Sequence, residues 1–122
     1  MISLAPVKDK SVIIKMFKDN SVEYGENSGC LTAVGHDGLM GYSLYSLDSE
    51  KMVIYKIFPE SDLPLADGIL RSTLHIAAQR SVMNTYCTED TKQLCEKLGF
   101  IKDRASSLLD IDRLFSNCCR GK

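Results

Sequence analysis

Apolar residues recur along this chain with two different periods, and the switches between them divide it into elements. Residues 2–7 form a first apolar run, a strand with Pro6 near its end. Ile13, Met16 and Phe17 then recur at i, i+3 and i+4, the spacing of one helical face, with Asp9 or Ser11 as the cap. Lys8, Lys10, Lys15 and Lys18 fall on the other side of that helix and read as a solvated face. A meander follows. Residues 30–35 are a strand, His36-Asp37-Gly38 a tight turn, 39–47 the return strand and 48–51 a second turn. Gly41 inside the return strand predicts a bulge or a close approach of backbone.

The next strand, 52–58, opens the stretch that organises the chain. A turn rich in acid and proline leads to a helix over 65–80, with Ala66, Ile69, Leu70, Thr73, Ile76 and Ala77 as its core stripe. Residues 82–87 read as a strand and 88–98 as a helix with Thr91, Leu94, Cys95 and Leu98 inward. Thr88 suits its N-cap, Glu89 and Asp90 its positive end, and Gly99 the left-handed position behind it. Residues 106–111 give a last strand. A strand, helix and parallel strand make a βαβ unit, whose handedness leaves few topologies. The order β-α-β-β-β-α-β-α-β predicts one α+β (mixed α/β) domain over residues 1–122, a mixed sheet with helices packed on it.

Composition narrows the partners more than the chemistry. Fifteen basic residues against sixteen acidic ones imply no general attraction to nucleic acid or to an anionic membrane. The N-terminus lacks the basic start and apolar core of a signal peptide, and no apolar run reaches the roughly 18 residues of a membrane span. A cytoplasmic protein is the expectation. Cys30, Cys87, Cys95, Cys118 and Cys119 include no C-x-x-C pair, and His36 and His75 lie far from all of them. No metal site is expected, and the thiols read as small buried hydrophobes. Cys118-Cys119 is the one pair that could serve as an oxidisable tail. Both histidines read as exposed surface residues.

The segment Glu96-Lys97-Leu98-Gly99-Phe100 resembles the end of the last helix of the GNAT N-acetyltransferases, and Ile57-Phe58-Pro59-Glu60 the end of their central strand. The resemblance covers roughly residues 30–110. It implies a central mixed, mostly antiparallel sheet with helices packed on both faces. It also implies an acetyl-CoA-dependent transferase acting on a small-molecule or peptide amine. The backbone at Tyr55 and Ile57 would pair with the pantetheine arm of acetyl-CoA. Thr88 stands where the family often has an asparagine near the cofactor. The family's phosphate loop, Gln/Arg-x-x-Gly-x-Gly/Ala, aligns with Leu65-Ala66-Asp67-Gly68-Ile69-Leu70, followed by Arg71. Amides there would grip the pyrophosphate at a helix N-terminus. Of that motif Gly68 matches. Leu65 replaces the Gln/Arg and Leu70 the second small residue, while Asp67 could take the amides itself.

Three residues are candidates for proton transfer. Cys95 occupies the place of the family's tyrosine acid, and a thiol matches a thiolate leaving group, both near pKa 8.5. Glu60, after the central strand, could act as a base through a water, and Tyr86 as a substitute hydroxyl acid. For each there is a plainer role: packing for Cys95, a solvated loop carboxylate for Glu60, and a cap for Thr88. The leading reading is an N-acetyltransferase. The alternative is a non-catalytic binding or regulatory module with a degenerate coenzyme A site. A homodimer unit would present an apolar sheet edge or helix face.

Overall fold

A computed structural model describes residues 2–114. Cys118 and Cys119 lie outside these residues. Strand β1 (Ser3–Pro6) leads to helix α1 (Lys10–Asp19), then to the meander β2 (Ser28–Gly35), β3 (Gly38–Leu47) and β4 (Met52–Phe58). Helix α2 (Leu63–Gln79), strand β5 (Thr85–Cys87), helix α3 (Glu89–Lys97) and two short strands, β6 (Ile101–Asp103) and β7 (Leu108–Leu109), complete the order. The strands form one sheet, β1-β2-β3-β4-β5-β7-β6. Among the described residues only the β4–β5 pair is parallel; every other neighbour is antiparallel.

Alternation along the central strands supplies a core on each face. Ala33, Tyr45, Ile54 and Ile57 join Ile69, Leu70, Leu74 and Ala77 of α2, and Leu94 and Cys95 of α3 enter the same cluster. On the opposite face Cys30 and Leu44 pack against Ile13 and Phe17 of α1, with Tyr24 and Tyr55 at the margin. Helices therefore cover both faces, and the fold is the mixed, mostly antiparallel α+β sheet expected. No helix among the described residues is long and apolar enough to cross a membrane.

Two bulges shape the meander. In β4 the pairing jumps from Tyr45↔Ile54 to Leu44↔Lys56, leaving Tyr55 as the extra residue. Between β2 and β3 the register slips at Ala33/Val34, where Met40 has no partner. Gly41 beside it is buried, and a Cβ there would meet the Phe58 carbonyl oxygen at 2.5 Å. Both readings of that glycine hold.

Element boundaries moved where capping outweighed periodicity. Helix α2 starts at Leu63 rather than 65, because Asp62 caps it and Pro64 enters its first turn, where a missing N–H costs nothing. The predicted strand 82–87 shrinks to Thr85–Cys87. Its first part turns off α2 instead, with Ser81 at φ 62° and the Val82 amide donating to Ala77 O at 2.9 Å. The predicted strand 106–111 is only Leu108–Leu109, and β6 was not expected. Thr88 sits at the N-cap of α3, yet its hydroxyl makes no capping bond.

Candidate functional site

The sheet opens along one edge of β4. Strand β5 pairs with Met52, Val53 and Ile54 and then leaves. Beyond Ile54, no strand among the described residues pairs with β4 on that side. The Thr88 amide donates to Ile54 O at 3.0 Å, closing the ladder. The Thr91 hydroxyl also reaches Ile54 O, at 3.3 Å, and the Thr88 hydroxyl reaches Tyr55 O at 3.4 Å. Past these contacts, residues 55–58 have no strand partner on that side among the described residues. An extended chain could add here as a strand, since backbone groups at a sheet edge are templates for pairing. Tyr55 and Thr88, thirty-three positions apart in sequence, meet here, whereas the Ile57 side chain is wholly buried in the α2 core.

A cleft of about 490 Å³ shares Tyr55 and Thr88 with this edge. Tyr55, Thr88, Asp90 and Ser46 line it together with the 21–28 loop between α1 and β2. The Tyr55 ring packs edge-on against Phe17 at 6.4 Å, and its hydroxyl shares a 3.1 Å hydrogen bond with Ser46. Glu23, Glu26 and Asp90 line this cleft, and no lysine or arginine does. Its electrostatics thus favour a cation. These three carboxylates are the residues that sequence reading missed. Glu23 and Glu26 are hidden because 21–28 reads simply as loop, and Asp90 because it reads as the acid at the positive end of α3.

The start of α2 is occupied by the chain itself. Asp62 Oδ1 accepts from the Leu65 amide at 3.2 Å, and Asp62 O accepts from the Ala66 amide at 2.8 Å. Pro64 has no N–H. Of these first-turn positions only Leu63 keeps an amide. Residues 65–70, expected as a phosphate loop, therefore lie inside the helix. The amides of Asp67, Gly68, Ile69, Leu70 and Arg71 are spent on carbonyls four residues back. Ile69 and Leu70 are wholly buried in the core. Arg71 turns from the helix end: its Nε donates to Asp67 Oδ2 at 2.8 Å, and its guanidinium stacks on the Phe100 ring, 5.1 Å from the centroid. Lys56 pairs with Leu44 and so leans toward the α1 face. A diphosphate does not fit this helix terminus. The signal was in the sequence, since Ser61-Asp62-Leu63-Pro64 reads as a cap followed by a first-turn proline.

The three proton-transfer candidates do not converge. Glu60 is exposed in the loop after β4. Tyr86, half-buried, pairs with Val53, five residues and about 16 Å back along the strand from Phe58. Cys95, on the inner side of α3, is wholly buried, and its thiol interacts with that of Cys87. That interaction and burial push the Cys95 thiol far up, whereas the same interaction favours the Cys87 thiolate and pulls Cys87 down. Cys95 thus packs against another cysteine and faces no opening.

No protein-family model and no curated sequence matches the chain. Solved structures do resemble it. The ribosomal-protein-alanine N-acetyltransferase of Brucella melitensis biovar Abortus superposes with a TM-score of 0.59 at 12% identity, covering 80% of this chain and 90% of that one. For the ribosomal-protein-S18-alanine N-acetyltransferase of Escherichia coli the values are 0.59, 13%, 81% and 77%. A GNAT family acetyltransferase from Elizabethkingia anophelis, solved with acetyl-CoA bound, gives 0.57, 16%, 84% and 78%. Likeness at such identities is a likeness of architecture: this chain has the GNAT fold.

Proposed function

From that shared fold we propose that the chain is an N-acyltransferase, moving an acetyl group from a pantetheine-type thioester such as acetyl-CoA to an amine. The observation that carries this reading is the bulged edge of β4, paired by no described strand beyond Ile54 and sharing Tyr55 and Thr88 with the acidic cleft. The thioester arm adds to the sheet along Tyr55 and Ile57, with Thr88 where the β4–β5 ladder closes. The acceptor enters from the cleft as an ammonium held by Glu23, Glu26 and Asp90. One of these carboxylates takes its proton, directly or through water, and frees the lone pair. A neutral amine held beside a thioester needs little beyond deprotonation and positioning. The Tyr55 hydroxyl faces the cleft and donates to the departing sulfur. Glu60, Tyr86 and Cys95 serve structure in this scheme.

The test is acetylation of a panel of primary amines by the purified protein and by Tyr55→Phe. The variant keeps the ring on Phe17 and loses the hydroxyl. Its kcat should drop on the order of 10²-fold, with the fold intact by circular dichroism. Unchanged turnover would remove Tyr55 from the chemistry. A non-catalytic module is the second reading, favoured by the Asp62 cap at the front of α2. Absence of thioester binding at millimolar concentration would leave it as the conclusion.

A further inference from the structure

The two halves of a coenzyme A thioester meet opposite receptions on this chain. The pantetheine half finds an edge at 55–58 that no strand among the described residues pairs, with Tyr55 O accepting from the Thr88 hydroxyl. The diphosphate half finds a helix terminus whose Leu65 amide is taken by Asp62, whose second residue is a proline, and beside which Glu60 stands exposed. A carboxylate at a helix N-terminus satisfies the positive end of the dipole itself and repels a second anion. Arg71, the nearest cation along α2, is held by Asp67 and Phe100.

We infer that the donor is recognised by its pantetheine arm alone, so that the site accepts acetyl thioesters carrying no nucleotide as readily as acetyl-CoA. This inference rests on the acyltransferase reading above and narrows its donor. The chemistry balances with either donor. The amine nitrogen bonds to the acyl carbon, the carbon–sulfur bond breaks, and the proton lost by the amine ends on the released thiol. Nothing in that step calls on the nucleotide. The bound arm lies along the sheet, and whatever follows its outer end points into solvent past Phe58.

Calorimetric titration of the whole chain with acetyl-CoA, S-acetylpantetheine and 3′,5′-ADP tests this. Acetyl-CoA and S-acetylpantetheine should bind with dissociation constants within about threefold of each other, and 3′,5′-ADP should give no heat at millimolar concentration. Raising the salt should not weaken acetyl-CoA relative to S-acetylpantetheine, because no phosphate is held by attraction to a cation. Acetyl-CoA binding about thirtyfold or more tightly would overturn the inference and leave the acyltransferase reading standing. Binding of neither thioester would overturn both. Asp62→Ser supplies the paired check, since serine still caps the helix but carries no charge. It should shift the preference toward acetyl-CoA by about threefold while leaving S-acetylpantetheine unmoved. A ratio identical to that of the wild type would show that Asp62 does not exclude the diphosphate.

Discussion

A Cβ on Gly41 would stand 2.5 Å from the Phe58 carbonyl oxygen and 2.7 Å from Ile69 Cδ1, so one absent carbon sets how closely β3, the end of β4 and α2 approach. Gly41→Ala should destabilise the protein by about 1–3 kcal/mol, read as a lower urea midpoint with an unchanged slope. Cys30 makes a second residue-scale argument. Burial pushes its thiol up to about 12, while in the unfolded chain a thiol ionises near 8.5. A raised folded value contributes stability that is complete below about pH 8.5 and lost as pH rises toward 12. Cys95 acts in the same direction, and Cys87, pulled down, in the opposite one. The urea midpoint should therefore fall between pH 8 and pH 10.5, and Cys30→Ala should make that fall shallower. An equally steep fall in the variant would clear Cys30 of the effect.

At the level of elements, the helix starts show what a linear pattern carries and what it omits. Of the stripe Ala66, Ile69, Leu70, Thr73, Ile76 and Ala77, five are buried on α2, while Ile76 is only partly buried and Leu74, outside the stripe, is wholly buried. Where α2 begins depends instead on a local contest between Asp62 and the first apolar residues. The apolar stripe alone places the start at 65, two residues late, so residues 65–70, which the resemblance aligns with a phosphate loop at a helix N-terminus, lie further inside the helix. Strand β6 was unreadable for another reason. Of Ile101-Lys102-Asp103 only the first is apolar, and the strand exists because β7 pairs with it. The cleft was out of reach too, since it unites loop residues 21–28 with Tyr55 and Thr88 through tertiary packing alone. Because Asp62 Oδ1 holds the Leu65 amide, Asp62→Ala should cost about 1 kcal/mol in thermal or urea unfolding. Asp62→Asn, which keeps an acceptor, should cost less. Equal losses would mean that charge rather than the hydrogen bond matters there.

For the molecule as a whole, one sheet serves as the floor of two cores. Phe17, wholly buried, anchors the α1 face, with Tyr24 edge-on at 5.8 Å. Phe17→Ala should cost about 3–5 kcal/mol, a large part of a small domain's stability. The faces share β2, β3 and β4, so they should unfold together. Tyrosine fluorescence and far-ultraviolet circular dichroism should trace the same urea transition. An earlier loss of the tyrosine signal would show that the α1 layer melts alone. The extra residue at Tyr55 has a consequence on this scale as well. Met52 and Ile54 face the α2 core from even positions, Ile57 from an odd one, and the slip between them keeps all three on the same side. The strand behaves like a two-beat rhythm with one held note. Removing that note would exchange indoors for outdoors in everything after it, so chain length at this point is a far stricter inheritance than the identity of the side chains around it.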